Sequence, residues 1–415
     1  MPVAASSQEI NVSTQPEDAY HRFLEAFGLR RQRAEEGKAV LEHRRALFDA
    51  RSAEVEEHNS RPGVIWLAEV NHFADSTQEE RQARLGYKPT TATYWRRTRS
   101  RFASAAMQAG SAAAGEAMLV RKLESAVDWS SRLPQSATRV RDQGMCGSCW
   151  AVAAVGALEM HAEFATGKSP VLSYMNLVDC VPNPHHCGGT GGCNGATAEL
   201  AFEYVKNHGI VENSAYAENR YRVTDACAYP WQQQMHYLTV DNFVQLPVNQ
   251  VAPALQALAN VGPMVAALDA NNLFSYKSGV FNFCPLDAIV NHAVLLVGYG
   301  QTKGTKYWRL RNSWGQQWGE DGYFNLLRHD NDDDWCGIDK WPQEGSGCDG
   351  GPGAIPVCGM CGVLADLSYP VGVRIVEKPQ SESKVSLHSV HHDHEGRGNL
   401  RRRTWLEGAQ AISSA

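Results

Sequence analysis

Apolar residues recur at helical spacing near the start of the chain. Tyr20, Phe23, Leu24 and Phe27 fall on one side of a helix. From about residue 18 to residue 59 the pattern is charge-rich and continues at spacings of four and three, through Val40, Arg44, Phe48, Arg51, Val55 and Asn59. This pattern predicts amphipathic helices in which polar residues flank an apolar seam.

The middle of the chain joins a glycine-punctuated loop to an alanine-rich segment. The loop reads Gln143-Gly144-Met145-Cys146-Gly147-Ser148-Cys149-Trp150, and residues 151–160 have good helix propensity. One helix face is predicted to be buried, formed by residues four apart: Trp150, Ala154, Leu158 and Ala162. A helix that begins at Cys149 favours a thiolate there, through its unpaired N–H groups and its dipole. Cys149 is therefore a candidate nucleophile, and the alternative is that it forms half of a disulfide.

Strand patterns follow in the second half of the chain. Residues 264–269 and 293–297 are apolar runs bounded by Gly or Pro, and residues 290–300 and 307–315 each predict a short strand. His292 lies near the start of the strand at 290–300, and the strand at 307–315 ends in a polar turn.

These two strands carry possible partners for a cysteine nucleophile. His292 is a candidate base, because an imidazole can activate a thiol when a third group orients its ring. The side-chain oxygen of Asn312 can orient that ring, and Trp314 can shield the hydrogen bond from water. Gln143 can donate to a developing oxyanion beside the Cys149 backbone N–H.

Composition restricts the class of protein. The chain has 415 residues, of which 43% are hydrophobic and 20% are charged, as in ordinary globular domains. Its net charge of −6 argues against nucleic acid as a general partner. No uninterrupted apolar run is long enough for a transmembrane helix, so no membrane association is predicted.

The eleven cysteines help to predict the cellular compartment of the protein. One reactive thiol and five disulfides would account for the odd number, and disulfides indicate an oxidising environment. Residues 1–8 lack the basic and apolar regions of a signal peptide. We therefore expect a signal peptide missing from this chain and a lysosome- or vacuole-like or extracellular location. A reduced, cytosolic protein is the alternative.

The motif Cys146-Gly147-Ser148-Cys149-Trp150 resembles the active-site signature of papain-like, cathepsin-type cysteine proteases. His292 and Asn312 follow Cys149 by 143 and 163 residues, in the order of that family. The resemblance covers about residues 20–375. It implies an α+β fold with a helical lobe and a β-barrel lobe, preceded by a helical prodomain. Cys149 would lie on one wall of the cleft between the lobes, and His292 and Asn312 on the other.

The N-terminal helical pattern resembles the propeptide of cathepsin-L-like zymogens. Arg44, Phe48 and Asn59 match its motif and Val55 is a conservative replacement, whereas Val40 and Arg51 depart from it. Residues 71–75 (Asn-His-Phe-Ala-Asp) resemble a second propeptide motif, with Glu69 in place of its leading Gly. The resemblance implies a prodomain that occupies the cleft, and the two departures are expected to weaken its polar contacts.

Five segments are expected along the chain. They are a disordered N-terminus (1–17), a helical inhibitory propeptide (18–88), a flexible linker (89–122), a papain-like peptidase domain (123–375) and a disordered polar tail (376–415). Activation cleavage is expected between Arg101 and Leu123. The histidine-rich part of the tail, from His388 to His394, is a weak alternative metal site.

The resemblance implies three disulfides: Cys146–Cys193, Cys180–Cys227 and Cys284–Cys361. Four cysteines remain, in two apparent insertions at residues 181–191 and 329–360, and their three possible connectivities stay open: Cys187, Cys336, Cys348 and Cys358. A zinc site at Cys187 with His185 and His186 is a minor alternative, as is calcium at the Asp-rich loop 330–334. No metal or other cofactor is expected.

The implied function is that of a cysteine endopeptidase made as a zymogen, with protein and peptide substrates, its own propeptide as inhibitor and a monomeric state. The family's second subsite dominates substrate selection, and here it is expected to accept apolar residues at P2 and also Arg, which the Asp366 carboxylate could bind. The alternative is that Asp366 points to solvent. The implied substrate-binding residues are Gly195, Ala196, Thr197, Ala198, Val290, Asn291, Ala293 and Asp366. No histidine-bearing occluding insertion follows Cys227, which favours endopeptidase activity. An inert papain-like binding or inhibitor protein and a Cys–His acyltransferase or transglutaminase are the alternatives.

Overall fold

Helices dominate the first part of the protein and strands the second. The computed structural model describes residues 18–86, 123–216, 227 and 237–376. The expectations for the N-terminus, for the linker and for the tail beyond residue 376 lie outside these residues. Among the helices within them, none is long and apolar enough to cross a membrane.

The N-terminal segment, residues 18–86, consists of four helices and one strand: α1 (Ala19–Ala26), α2 (Arg30–Ala34), α3 (Lys38–Ser60), β1 (Trp66–Ala68) and α4 (Gln78–Ala83). The Asp18 carboxylate caps α1, and Thr77 with Glu80 forms a capping box on α4. The apolar stripe of α1 packs on Phe48 of α3 in a small separate core. The predicted amphipathic helices therefore form.

Polar contacts stabilise this N-terminal segment, and Arg51 makes several of them, although the sequence analysis expected this residue to weaken such contacts. Arg51 donates from one nitrogen to the carbonyl oxygens of Phe73, Ala74 and Ser76, at 3.0, 3.0 and 2.6 Å. This departure from the propeptide motif therefore adds polar contacts instead of weakening them. Val40, the other departure, is 44% exposed and loses no buried contact.

Buried ion pairs add to this framework. The Arg33 guanidinium binds both oxygens of Asp75, and Arg44 binds Glu80 through two nitrogens and Glu36 through a third. Arg33, Arg44 and Asp75 are almost fully buried. Such pairs fix a unique arrangement, and removing one partner leaves an uncompensated charge.

The first half of the following region is helical. Its helices are α5 (Trp129–Arg132), α6 (Pro134–Ala137), α7 (Cys149–Thr166), α8 (Tyr174–Cys180) and α9 (Ala198–His208). The expectation of one buried face on α7 is too narrow, because every residue from Cys149 to Glu163 is buried. The helix packs against α8, α9 and strand β7 (His292–Thr302).

The second half contributes most strands of a nine-stranded sheet with the order β1-β6-β9-β8-β7-β5-β12-β4, and β2 pairs with β7. Neighbours are antiparallel except β6 and β9. One helix, α10 (Val251–Asn260), accompanies them. The strands are β2 (Val127–Asp128), β4 (Asn242–Gln245), β5 (Met264–Leu268), β6 (Tyr276–Phe281), β7 (His292–Thr302), β8 (Thr305–Arg311), β9 (Tyr323–Leu327) and β12 (Leu367–Val371).

Two smaller sheets complete the structure. One pairs β3 (Leu238–Thr239) with β13 (Arg374–Ile375), and the other pairs β10 (Gly337–Asp339) with β11 (Ile355–Val357). A large core of buried apolar residues runs from the helices into the main sheet. The α+β class predicted from the sequence is confirmed.

The N-terminal segment is bound to this sheet as an edge strand. In β1, Trp66 pairs with Gly279 of β6 in antiparallel register. A side chain at Gly279 would collide with the Ile65 carbonyl oxygen, so glycine permits this close approach.

The structure describes all eleven cysteines, and ten of them form five disulfides. Three are the pairs implied by the resemblance: Cys146–Cys193, Cys180–Cys227 and Cys284–Cys361. The open connectivity resolves as Cys187–Cys348 and Cys336–Cys358. Cys187 is thus unavailable for zinc, and within the described residues no three metal-binding side chains cluster.

Candidate active site

Cys149 is the first residue of α7 and is the one cysteine of the eleven that forms no disulfide. The loop before it is fixed by Cys146–Cys193 and by a 2.9 Å hydrogen bond from the Gly147 N–H to the Cys193 carbonyl. Burial raises the pKa of the Cys149 thiol to about 11, although backbone N–H groups oppose that shift. In this covered form, burial thus opposes the thiolate that the start of the helix favours.

His292 and Asn312 are brought together by neighbouring strands. His292 begins β7 and Asn312 directly follows β8, and the two strands pair in antiparallel register. The ring Nε2 of His292 lies 2.8 Å from the Asn312 side-chain oxygen.

A second contact fixes the proton on the His292 ring. The Ser313 backbone N–H donates to the same Asn312 oxygen at 2.8 Å, which assigns that atom as the amide oxygen. Nε2 of His292 must then donate, and in the neutral ring Nδ1 keeps a lone pair. Nδ1 is buried and has no hydrogen-bond partner in the described part of the chain. Burial lowers the pKa of His292 to about 4, against the opposing effect of Asn312.

Trp314 covers the His292–Asn312 pair. It is fully buried, and its ring centre lies 5.0 Å from that of His292. Phe274 stacks on it at 4.5 Å, and Phe73 of the N-terminal segment packs edge-on at 5.5 Å. This is the shielding position predicted from the sequence.

The side-chain amide of Gln143 is fully engaged in hydrogen bonds. Its oxygen accepts from the Ser313 hydroxyl at 2.5 Å, which leaves its nitrogen to donate. The nitrogen donates to the Cys146 carbonyl at 2.8 Å and to the Arg84 carbonyl at 2.9 Å. A carbonyl of the N-terminal segment therefore takes the hydrogen bond that an oxyanion would need.

The N-terminal segment also covers the thiol. A Cβ built on Gly86 would lie 2.9 Å from the Cys149 sulfur. Gly195 also lies close to Gly86. A side chain at position 195 would collide with the Gly86 carbonyl oxygen. Residues 84–86 thus lie in the cleft, directly over the candidate nucleophile.

One pocket contains most of the predicted site. Cys149, His292 and Asp366 line it together with the other predicted residues Ala196, Thr197, Ala198, Val290, Asn291 and Ala293. Gly195, Gln143, Asn312 and Trp314 contact it indirectly, through the interactions given above. The sequence analysis missed further lining residues: Leu85, Gly86, Gly188, Glu199, Val265, Ala267, Gly345, Ser346 and Ser368.

Two acidic side chains meet in this pocket. The Asp366 carboxyl accepts a hydrogen bond from the Gln245 amide at 3.2 Å, and Glu199 lines the same pocket. Burial raises the pKa of Asp366 well above its ordinary value, and the nearby Glu199 raises it further. Glu199 directly follows Ala198, so the predicted pocket residues were the one sequence signal that could have identified it.

The chain is similar to known proteins in both sequence and structure. Residues 123–345 match the family model for papain family cysteine proteases. Cysteine endopeptidase Rep1 of Oryza sativa subsp. japonica is 33% identical over 361 residues, which cover 85% of this chain and 83% of that protein. Cathepsin S of Bos taurus is 38% identical over 227 residues, 54% of this chain. The match spans 65% of that cathepsin, just under two thirds of its length.

Solved structures resemble the N-terminal segment as well as the rest. A digestive procathepsin L 3 from Tenebrio molitor larval midgut has a TM-score of 0.63 and 26% identity, over 86% of this chain and all of that chain. The proform of the ragweed pollen allergen Amb a 11 cysteine protease has a TM-score of 0.60 and 27% identity, over 85% of this chain. The papain-like fold with a prodomain, as expected from the sequence, is confirmed.

Proposed function

The chain belongs to the papain family of cysteine proteases, and from that premise we propose that it is a cysteine endopeptidase made as an inactive zymogen. The observation that supports the proposal is that Cys149 and His292 line one pocket, with Asn312 bound to the His292 ring. His292 presents an unprotonated Nδ1, Asn312 holds the opposite ring nitrogen, and Gln143 aims an amide N–H at the cleft.

The reaction is the hydrolysis of a peptide bond. His292 Nδ1 takes the proton of the Cys149 thiol, and the sulfur attacks the scissile carbonyl carbon. The imidazolium then gives its proton to the leaving amine, which leaves an acyl-enzyme. Water, deprotonated by neutral His292, attacks the thioester and restores the thiol. Gln143 and the Cys149 backbone N–H stabilise the oxyanion in both steps.

Residues 18–86 act as the inhibitor, within a propeptide that we place at 18–88. The Arg84 carbonyl occupies the Gln143 amide, Gly86 covers the sulfur, and Phe73 closes over Trp314. Burial in this covered form also raises the pKa of the thiol and lowers that of His292, which favours the neutral state of both groups. Cleavage in the linker 89–122 then releases the peptidase domain, 123–375.

The pocket beside Cys149 is the proposed P2 subsite. Its apolar walls, which include Val265 and Val290, suit an aliphatic side chain. Asp366 and Glu199 at the same pocket suit a guanidinium, which can bind both carboxyl groups. We therefore propose that peptides with Leu-like residues or Arg at P2 are accepted.

The relatives named above also motivate a proposal on location. Cathepsins and plant cysteine endopeptidases suggest a lysosomal, vacuolar or secreted protein. Five disulfides agree with an oxidising compartment.

Acid incubation of the full-length protein tests this proposal. Wild type and Cys149→Ala are incubated side by side and followed by intact mass, by peptide hydrolysis and by labelling with an epoxysuccinyl peptide. Wild type alone should shorten to a species that begins near Leu123, label at Cys149 and hydrolyse peptides. If wild type shortens but neither labels nor hydrolyses, the protein is an inert relative and the proposed activity is wrong.

A further inference from the structure

The two insertions of this chain meet at the pocket beside Cys149. The second one forms a hairpin in which β10 pairs with β11, and Cys336–Cys358 joins its two ends. We call residues 336–358 the strap. Its tip carries Cys348, which forms a disulfide with Cys187 of the first insertion.

Backbone contacts reinforce this crossing. The Gly188 N–H donates to the Gly347 carbonyl and the Asp349 N–H donates to the His185 carbonyl, each at 2.9 Å. A side-chain contact at 2.8 Å joins His186 Nδ1 to Asp349. The strap therefore rests on the first insertion at several points and is not held by the disulfide alone.

The strap and the first insertion together touch opposite walls of the cleft. On one wall, Gly345 lies against the Val290 carbonyl, where a side chain would collide. On the other wall, a Cβ on Gly188 would lie 2.6 Å from the Ala196 carbonyl oxygen. Gly188, Gly345 and Ser346 all line the pocket that also contains Cys149 and Asp366. The joined insertions thus border this pocket from one wall to the other.

We propose that the strap closes the substrate cleft beyond the P2 subsite, so that the enzyme recognises a peptide through no more than two residues before the scissile bond. This inference rests on the proposed function. A peptide that runs from Cys149 into the pocket meets the strap next, and its earlier residues must turn out of the cleft. The favoured substrates are accordingly short peptides, N-terminal segments and flexible chains that can bend after P2.

The strap has the covalent support that such a barrier needs. Both ends and the tip are cross-linked, so an incoming chain cannot displace the hairpin by local unfolding at low cost. The glycines at both contact points, Gly345 and Gly188, let the joined insertions approach the backbone of each wall more closely than a side chain would allow. A hairpin without Cys187–Cys348 would depend on hydrogen bonds that water can replace.

A peptide-length series tests the inference on the activated enzyme. Two fluorogenic peptides share Leu-Arg before the reporter, one with an acetyl group at P3 and one extended by three further residues. The measured quantity is the ratio of their kcat/KM values, which does not depend on the fraction of active enzyme. Wild type should give a ratio near one, within about twofold.

Opening the strap should change that ratio. We expect Cys187→Ser with Cys348→Ser, and separately the replacement of residues 343–352 by a short Gly-Ser turn, to favour the extended peptide by about tenfold. The matched control, Cys180→Ser with Cys227→Ser, removes a disulfide whose cysteines do not line the pocket and should keep the wild-type ratio. Mass analysis after alkylation verifies that Cys187–Cys348 survives the reductant in the assay.

The inference is overturned if wild type already favours the extended peptide tenfold, or if neither opened variant changes the ratio. Binding of both peptides to Cys149→Ala protein, cleaved in its linker by an added protease and freed of the propeptide, provides a readout without turnover. The inference is supported if this protein binds both peptides with equal affinity and binds the long peptide more tightly once the strap is opened. This result would stand even if wild type hydrolyses nothing. Absence of hydrolysis would then count against the proposed function alone.

Discussion

Gly86 of the N-terminal segment lies so close to the Cys149 sulfur that a Cβ at this position would be only 2.9 Å from it. Its backbone is also left-handed, with φ at +70°, a conformation that favours glycine. The inhibitory contact therefore depends on a residue without a side chain. This makes Gly86 a sensitive place to test latency.

Gly86→Ala should weaken the inhibition. We expect acid processing and residual peptide hydrolysis by the zymogen to rise about tenfold, measured before and during incubation. Gly63→Ala is the matched control, because Gly63 has φ at +78° but nothing within 4 Å of a Cβ. Both variants carry backbone strain, so their difference isolates the contact with Cys149. Equal rates for the two would contradict this role of Gly86.

Gln143→Ala should act on catalysis and on inhibition together. Losing an oxyanion donor typically lowers kcat by about 10²–10³-fold. The same change removes the hydrogen bond to the Arg84 carbonyl, so the propeptide should also bind less tightly. Kinetics of the processed enzyme and the rate of propeptide release measure the two effects. Gln135→Ala, at an exposed glutamine, should alter neither.

His72 should make the inhibition depend on pH. It lies between Arg84 and Asp142, and burial lowers its pKa to about 4, with a smaller lowering by Arg84 that Asp142 opposes. Above an ordinary pKa of about 6.5, His72 is neutral whether the propeptide is bound or released. Below that pH the released form takes up a proton that the bound form resists, so binding weakens as the pH falls toward 4.

His72→Leu should keep the packing and remove this proton uptake. We expect its latency to persist at pH values between about 4 and 6.5 at which wild type becomes active, as measured by hydrolysis at each pH. His43→Leu changes an exposed histidine of α3 and should follow the wild-type profile. If His72→Leu also follows the wild-type profile, other groups control the release.

Asp366 should make the choice of P2 residue depend on pH. Its raised pKa means that it is protonated at acid pH and becomes charged as the pH rises. The ratio of kcat/KM for Arg over Leu at P2 should therefore increase with pH in wild type. Glu199→Gln removes the neighbouring carboxylate and should move this increase to lower pH.

Two variants distinguish titration of Asp366 from a general effect of pH on the enzyme. Asp366→Ala should give a low Arg/Leu ratio that does not change with pH, whereas Asp333→Asn, on the exposed loop, should behave as wild type. An unchanged ratio in Asp366→Ala would show that this carboxyl does not contact the P2 side chain.

Local patterns account for the parts of this protein that the sequence predicts well. The loop before Cys149, the strand that begins at His292 and the turn at Asn312 are each encoded within a few residues. The structure brings these three segments together through α7, β7 and β8. Their order along the chain was sufficient to predict one common site, because the fold, once identified, determines how the three segments meet.

Other features depend on contacts that no local pattern encodes. Cys187 and Cys348 are 161 residues apart, so their spacing cannot select one connectivity from three. Burial raises the pKa of Cys149, and Gly86, 63 positions earlier in the chain, is one of the residues that cover it. The prediction of a single buried face on α7 likewise assumed that the opposite face is exposed to solvent. In the structure the helix is enclosed on all sides, and even Glu159 is buried.

Glu159 should matter for stability because it anchors the loop before Cys149 to α7. Its fully buried carboxylate accepts from both terminal nitrogens of Arg141, at 3.0 and 2.7 Å, and from the Leu172 N–H at 2.8 Å. Glu159→Ala would leave a guanidinium in a largely buried place without this partner. Breaking such a pair costs about 3–5 kcal/mol, so the Tm of the zymogen should fall clearly.

The position of Arg141, two residues before Gln143, allows a second readout. Glu203→Ala, at an exposed position of α9, is the control and should change the free energy of unfolding by less than about 0.5 kcal/mol. If Glu159→Ala lowers Tm no more than this control, the anchor is not structural. A variant that keeps its Tm but loses kcat would instead indicate that the pair serves to hold Gln143 in place.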